Sequence, residues 1–225
     1  MSTLDRVDVP VGESSVSAVI SRPEGASARV GVVVIQEWWG LVAHIEEVVA
    51  RVAGEGFVAM SPDLYHGAST VDAEEASHLA STLDWSRAIQ EIVAVIAHLR
   101  VTERCEHVVV VGFCMGGALA VLAAANTSVE AYVSFYGFPP EGAADLKKVS
   151  APGLILFGES EAFFSVPNAQ KFAAAQRERA IDTSVHIYPG ASHAFFNDHR
   201  PEVFAPDAAR DAWSRMLAVL HSVSR

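Results

Sequence analysis

Cysteine is scarce in this chain: only Cys105 and Cys114 occur among 225 residues. They sit close together with a predicted strand between them, which makes a poor disulfide pair. A cytosolic (cytoplasmic) chain with unoxidised thiols is expected. There is no Cys pair of zinc-binding spacing and no His-x-x-x-His, so neither metal nor cofactor is expected. Long apolar runs are missing too. Stretches such as Val30 to Ile35 are short, which argues against a membrane span. The opening Met1-Ser2-Thr3-Leu4-Asp5-Arg6 has no apolar core of the kind a secretory leader needs. Basic residues are few, 16 against 27 acidic ones, for a formal net charge of −11. That sign disfavours nucleic acid and anionic membranes as partners. Internal repeats, low-complexity tracts and Ser/Gly linkers are absent as well.

What remains is the composition of a folded enzyme-sized chain: 51% hydrophobic and 19% charged. That length and apolar content suit one domain spanning residues 1–225, as a monomer or small homo-oligomer. Short β-branched runs alternate with longer segments of helical period. Predicted strands are Ser15 to Ile20, Val30 to Ile35, Phe57 to Ser61, His107 to Val111, Val129 to Tyr136, Gly153 to Phe157 and Ser184 to Tyr188. Helices are predicted around Ile45 to Val52, Trp85 to Arg100, Met115 to Ala125, Pro167 to Arg179 and Asp207 to Ser222. Such alternation implies an α/β fold with a mostly parallel central sheet and helices on both faces.

One segment carries chemistry. Gly112-Phe113-Cys114-Met115-Gly116-Gly117 follows a predicted strand and opens a predicted helix. Gly-x-Cys-x-Gly has the form of the nucleophile elbow, with sulfur in place of oxygen. A tight turn there lifts the thiol above the sheet edge. The glycines avoid collision with the neighbouring strand and helix. The helix N-terminus favours a thiolate, and the N–H of Met115 faces the place of a substrate oxyanion. Gly112-x-Cys114-x-x-Gly117 also has dinucleotide-fingerprint spacing, but it lies mid-chain and no acidic residue closes a following strand.

In an elbow fold the acid and then the histidine follow the nucleophile. After Cys114 come His186, His193, His199 and His221. His186 lies inside a predicted strand and His221 on the last helix. His193 follows the last strand and is the expected base, with His199 as its rival. The acid should leave the strand ending at Phe157, where Glu159 and Glu161 both stand; Asp145 and Asp182 are less well placed.

Five segments, in order, resemble the dienelactone hydrolase family: Gln36-Glu37-Trp38-Trp39-Gly40-Leu41, Ser61-Pro62-Asp63-Leu64-Tyr65, Gly112 to Gly117, Phe157-Gly158-Glu159 and Ser192 to Asn197. The resemblance covers most of the chain. It implies an α/β-hydrolase fold and hydrolysis of a lactone or carboxylic ester by Cys114 through an acyl-thioester. It also implies His193 as base and Glu161 at the position of the family's triad aspartate, one methylene longer. Glu37 matches a glutamate that helps activate the thiol, and the N–H of Trp38 would complete the oxyanion hole with that of Met115. Where the family's dienelactone enzymes hold a substrate carboxylate with an arginine, this chain has Asn197; Arg200 and Arg87 are nearby in sequence. Trp39, Tyr65, Phe163, Phe195 and Asn197 are expected at a largely apolar substrate pocket. The alternatives are a thioesterase or peptidase, or a non-catalytic ligand-binding version of the fold.

Overall fold

The computed structural model describes residues 3–25 and 29–224. Met1 and Ser2, part of the stretch read for a leader, lie outside the described residues. Among the described residues no helix is long and apolar enough to cross a membrane, and no disulfide joins Cys105 and Cys114. The strands follow the order β1-β2-β4-β3-β5-β6-β7-β8 in one eight-stranded, mostly parallel sheet, with helices between the strands. The chain forms two compact units, Met1–Val110 and Val111–Arg225.

The first unit holds β1 (Leu4–Val11), β2 (Ser14–Ser21), β3 (Val30–Ile35), α1 (Ala43–Gly54), β4 (Val58–Pro62), α2 (Ala73–Thr82), α3 (Trp85–Val101) and the start of β5 (His107–Phe113). Every residue of β3 is buried, as a continuous Val/Ile run demands of a strand covered on both faces. β3 runs parallel to β4, and α1 and α3 pack on both. Two elements were not expected from sequence. β1 forms a hairpin with β2, in register from Leu4↔Ser21 to Val11↔Ser14, around Gly12 at φ +58°. Its residues are mostly exposed, so it lacks the apolar stripe that reveals a strand. α2 buries only Ala76. Its one sequence signal is the cap: Asp72 accepts the N–H groups of Glu74 and Glu75.

The second unit holds the end of β5, then α4 (Met115–Asn126), β6 (Ala131–Phe135), β7 (Gly153–Ser160), α5 (Val166–Glu178), β8 (Thr183–Ser192) and α6 (Pro206–Ser222). β6, β7 and β8 are parallel neighbours. α4 is apolar all round, with Met115 through Ala124 buried, which fits a helix enclosed on every side. Phe113 stacks on Phe135 (4.6 Å) and on Phe196 (5.4 Å), while Phe135 and Phe196 meet at a tilt (5.0 Å), and all three are buried in the core. β7 and β8 extend past their predicted ends, to Ser160 and Ser192. That extension positions the site.

Candidate active site

β5 ends at Phe113, and Cys114 is the N-cap of α4 at φ +56°, ψ −118°. A side chain at positive φ is strained by roughly 1–3 kcal/mol. Backbone bonds hold it there: the N–H of Cys114 donates to the carbonyl of Phe135 (2.9 Å), and the N–H of Gly117 donates to the carbonyl of Cys114 (2.9 Å). Two glycines make the turn possible. A Cβ on Gly112 would stand 1.9 Å from the carbonyl oxygen of Gly116, and one on Gly137 would stand 2.1 Å from that of Cys114. Gly112 was legible from the motif. Gly137 was not, because it follows β6 and meets the elbow only in three dimensions.

The candidate base and acid follow adjacent strands. β7 and β8 pair at Gly158↔Tyr188, slip through an irregularity, and pair again at Ser160↔Ser192. Glu161 and His193 are the next residues on each chain. Nδ1 of His193 lies 2.8 Å from Oε2 of Glu161, and Nε2 lies 3.3 Å from Sγ of Cys114. The carboxylate beside Nδ1 favours the tautomer with its proton on Nδ1, which leaves Nε2 to accept from the thiol. The Glu161 side chain is 1% exposed. Its other oxygen, Oε1, accepts the N–H groups of Phe163 (2.8 Å) and Phe164 (3.1 Å). A buried carboxylate is tolerable only when both oxygens are occupied in this way.

Glu159, the rival acid, points elsewhere: its Oε2 accepts the N–H of Gly190 at 2.9 Å. His199 is exposed, and its N–H donates to Oδ1 of Asn197. His186 packs edge-on to Tyr188 on β8, and His221 is exposed on α6. His186 is held below its usual pKa by desolvation first, then by Arg215.

Aromatic rings enclose His193. Tyr136, in a positive-φ turn after β6, meets it edge-on at 5.0 Å, Phe163 lies at 4.7 Å and Phe164 at 5.9 Å. Tyr136 was not expected there. Phe163, 68% exposed, offers a free apolar face beside the imidazole. Phe195 differs from the expectation of a pocket residue. It is fully buried between Tyr136 and Tyr188, a packing position. Asn197 is also buried.

Glu37, Trp38, Trp39 and Tyr65 belong to the first unit. Glu37 is buried just after β3, Trp38 is half-buried and meets Trp39 edge-on at 5.0 Å, and Tyr65 is buried after β4. The two arginines considered for a substrate carboxylate are both engaged with acids, Arg200 with Glu202 and Arg87 with Glu91.

The dienelactone hydrolase family model matches residues 16–224. "Protein usf" of Aquifex pyrophilus is 32% identical over 198 residues, covering 84% of this chain and 86% of its own. A protein of Aquifex aeolicus (strain VF5) named "Putative carboxymethylenebutenolidase" is 29% identical over 209 residues, covering 88% and 89%. Among solved structures, that of a "Putative Dienelactone Hydrolase" from Klebsiella pneumoniae subsp. pneumoniae MGH 78578 superposes with a TM-score of 0.86 at 25% identity, over 98% of this chain and 99% of the other.

Proposed function

The chain belongs to the dienelactone hydrolase family and is a hydrolase of that kind, and from this premise we propose that it cleaves a lactone or carboxylic ester with Cys114 as nucleophile. The observation that carries the reading is the position of His193, within reach of both the Cys114 sulfur and the Glu161 carboxylate.

The steps follow from that arrangement. Nε2 of His193 takes the thiol proton as sulfur attacks the carbonyl carbon. The negative charge moves to the carbonyl oxygen, which the N–H of Met115 receives, and the resemblance implies the N–H of Trp38 as a second donor. As the tetrahedral species collapses, His193 returns its proton to the leaving alkoxide. In a lactone that alkoxide stays tethered to the acyl group. Water then attacks the acyl-thioester, His193 accepts its proton, and the thiolate departs with the acid as product. Glu161 keeps the ring oriented and stabilises its cationic form. Glu37 assists thiol deprotonation, as the resemblance implies. Phe163, with its exposed face beside the imidazole, contributes to substrate recognition. The thiol chemistry suits a reducing, cytoplasmic setting.

Turnover of a panel of lactones and aryl esters, with wild type beside Cys114→Ala, tests the proposal. We expect a loss of ~1,000-fold or more in kcat for Cys114→Ala, and an acyl adduct on Cys114 in quenched wild-type samples by mass spectrometry. Undiminished turnover in Cys114→Ala would sink the cysteine mechanism. A smaller loss in Glu37→Gln, seen in the acylation rate, is expected if Glu37 acts on the thiol.

A further inference from the structure

We propose that the first unit carries a binding site for a small primary ammonium on the carboxylate of Glu91. The proposal does not rest on the hydrolase mechanism.

A cavity of about 260 Å³ lies where Tyr65 and His66, which follow β4, meet the end of α2 and the start of α3. That volume is just under the ~300–1,000 Å³ usual for small-molecule pockets, so the occupant is fragment-sized. Leu64, Leu79 and Leu83 give it an apolar wall, and Glu91 lines it from α3. The Glu91 side chain is 2% exposed. Its Oε1 accepts from Nε of Arg87 at 2.8 Å and stands 3.4 Å from Nε2 of His66. Its Oε2 has no hydrogen-bond partner among the described residues.

A buried carboxylate with one oxygen unpartnered is an unusual feature, because the missing partner costs free energy comparable to a lost charged hydrogen bond. Glu161, by contrast, has both carboxylate oxygens occupied, and Glu91 is the one carboxylate among the unpartnered buried side-chain atoms of the described residues. Rotation about the last side-chain torsion exchanges the two oxygens at little cost, so either can face an incoming donor. Arg87 and His66 are each about half exposed and can move aside without unpacking the core.

The chemistry selects the ligand class. Asp84 also lines the cavity, so two carboxylates stand against one guanidinium, and a single added positive charge neutralises the site. A divalent metal needs several ligand atoms brought together, and Asp84, Glu91 and His66 do not form such a group. A primary ammonium brings three N–H donors on a compact head, and an aliphatic chain behind it covers the leucine wall.

Titration of the full chain with n-butylammonium chloride, followed by ligand-observed NMR, tests this, with 1-butanol as the uncharged comparison. Saturable millimolar binding is expected, at least fivefold tighter than for 1-butanol. It should weaken at least fivefold in Glu91→Gln and disappear in Thr82→Trp, which fills the cavity from an exposed position on α2. The proposal is overturned if no saturable binding occurs, if 1-butanol binds as tightly, or if Thr82→Trp, folded by circular dichroism, binds as wild type does. Failure of Glu91→Gln to fold leaves the Thr82→Trp arm decisive.

Discussion

Ser160 pairs with Ser192, and the residues that follow them, Glu161 and His193, are joined by a 2.8 Å contact between carboxylate and imidazole. Strand register thus brings Glu161 and His193 side by side, and the loop N–H groups of Phe163 and Phe164 hold the carboxylate in place. Gly158 is part of that register: a Cβ there would lie 2.5 Å from the carbonyl oxygen of Ser192.

Removal of the Glu161 charge should therefore disable the base without disturbing the fold. Glu161→Gln is expected to lower kcat by ~100-fold or more, in line with other orienting carboxylates. Glu161→Asp should fall between, since the shorter side chain no longer spans to Nδ1. Glu159→Gln, whose partner is the Gly190 backbone, should keep kcat within about threefold of wild type. Steady-state kinetics on one ester substrate separates the three; a larger loss in Glu159→Gln would reverse the assignment.

The elbow's tolerance for side chains is equally specific. Gly137→Ala puts a methyl group 2.1 Å from the carbonyl oxygen of Cys114, a backbone atom that cannot swing away. A destabilisation of ~2 kcal/mol or more is expected, with loss of activity because the turn bearing Cys114 must shift. Gly142→Ala, where a Cβ meets nothing within 4 Å but φ is +81°, should cost only ~1 kcal/mol. Urea denaturation compares them.

The two cysteines should react differently. Burial pushes the Cys105 thiol up to about 11, with the nearby Glu103 charge adding to the effect. At pH 8 iodoacetamide should alkylate Cys114 and leave Cys105 intact in the native protein, as thiolate is the reactive form. Peptide mapping by mass spectrometry reads the outcome, and equal labelling of both would contradict it.

An ion pair of the first unit gives a pH test of stability. Glu103 is held below its ordinary carboxylate range by Arg22, first through their hydrogen bond. A depressed folded-state pKa means stability that is complete above the unfolded value and is lost as pH falls through the folded one. Glu103→Gln should cost ~0.2–1 kcal/mol at pH 7, the usual value for a partly exposed pair. The gap between variant and wild type should close below about pH 4. A gap that persists in strong acid would assign the effect to packing.

Much of this was legible in the chain itself. The Val/Ile runs of β3 and β5 could only be covered strands, and glycines around Cys114 could only mean a tight turn. These are local signals, because period, branching and backbone freedom act between residues close in sequence. α2 and β1 escaped notice for the converse reason: both are largely exposed, and exposure erases the apolar period.

The choice between Glu159 and Glu161 could not be made from sequence, since both are glutamates two residues apart on one strand end. It depends on the irregularity between Gly158 and Ser160 and on how β8 pairs beyond it. The same holds for Gly137 beneath the elbow and for the unpartnered oxygen of Glu91. Sequence alone determined which residue types and which turns this protein uses, through local sterics and hydrophobic period. Only the tertiary structure decided which carboxylate meets the imidazole, because strand register brings together residues that the chain keeps far apart.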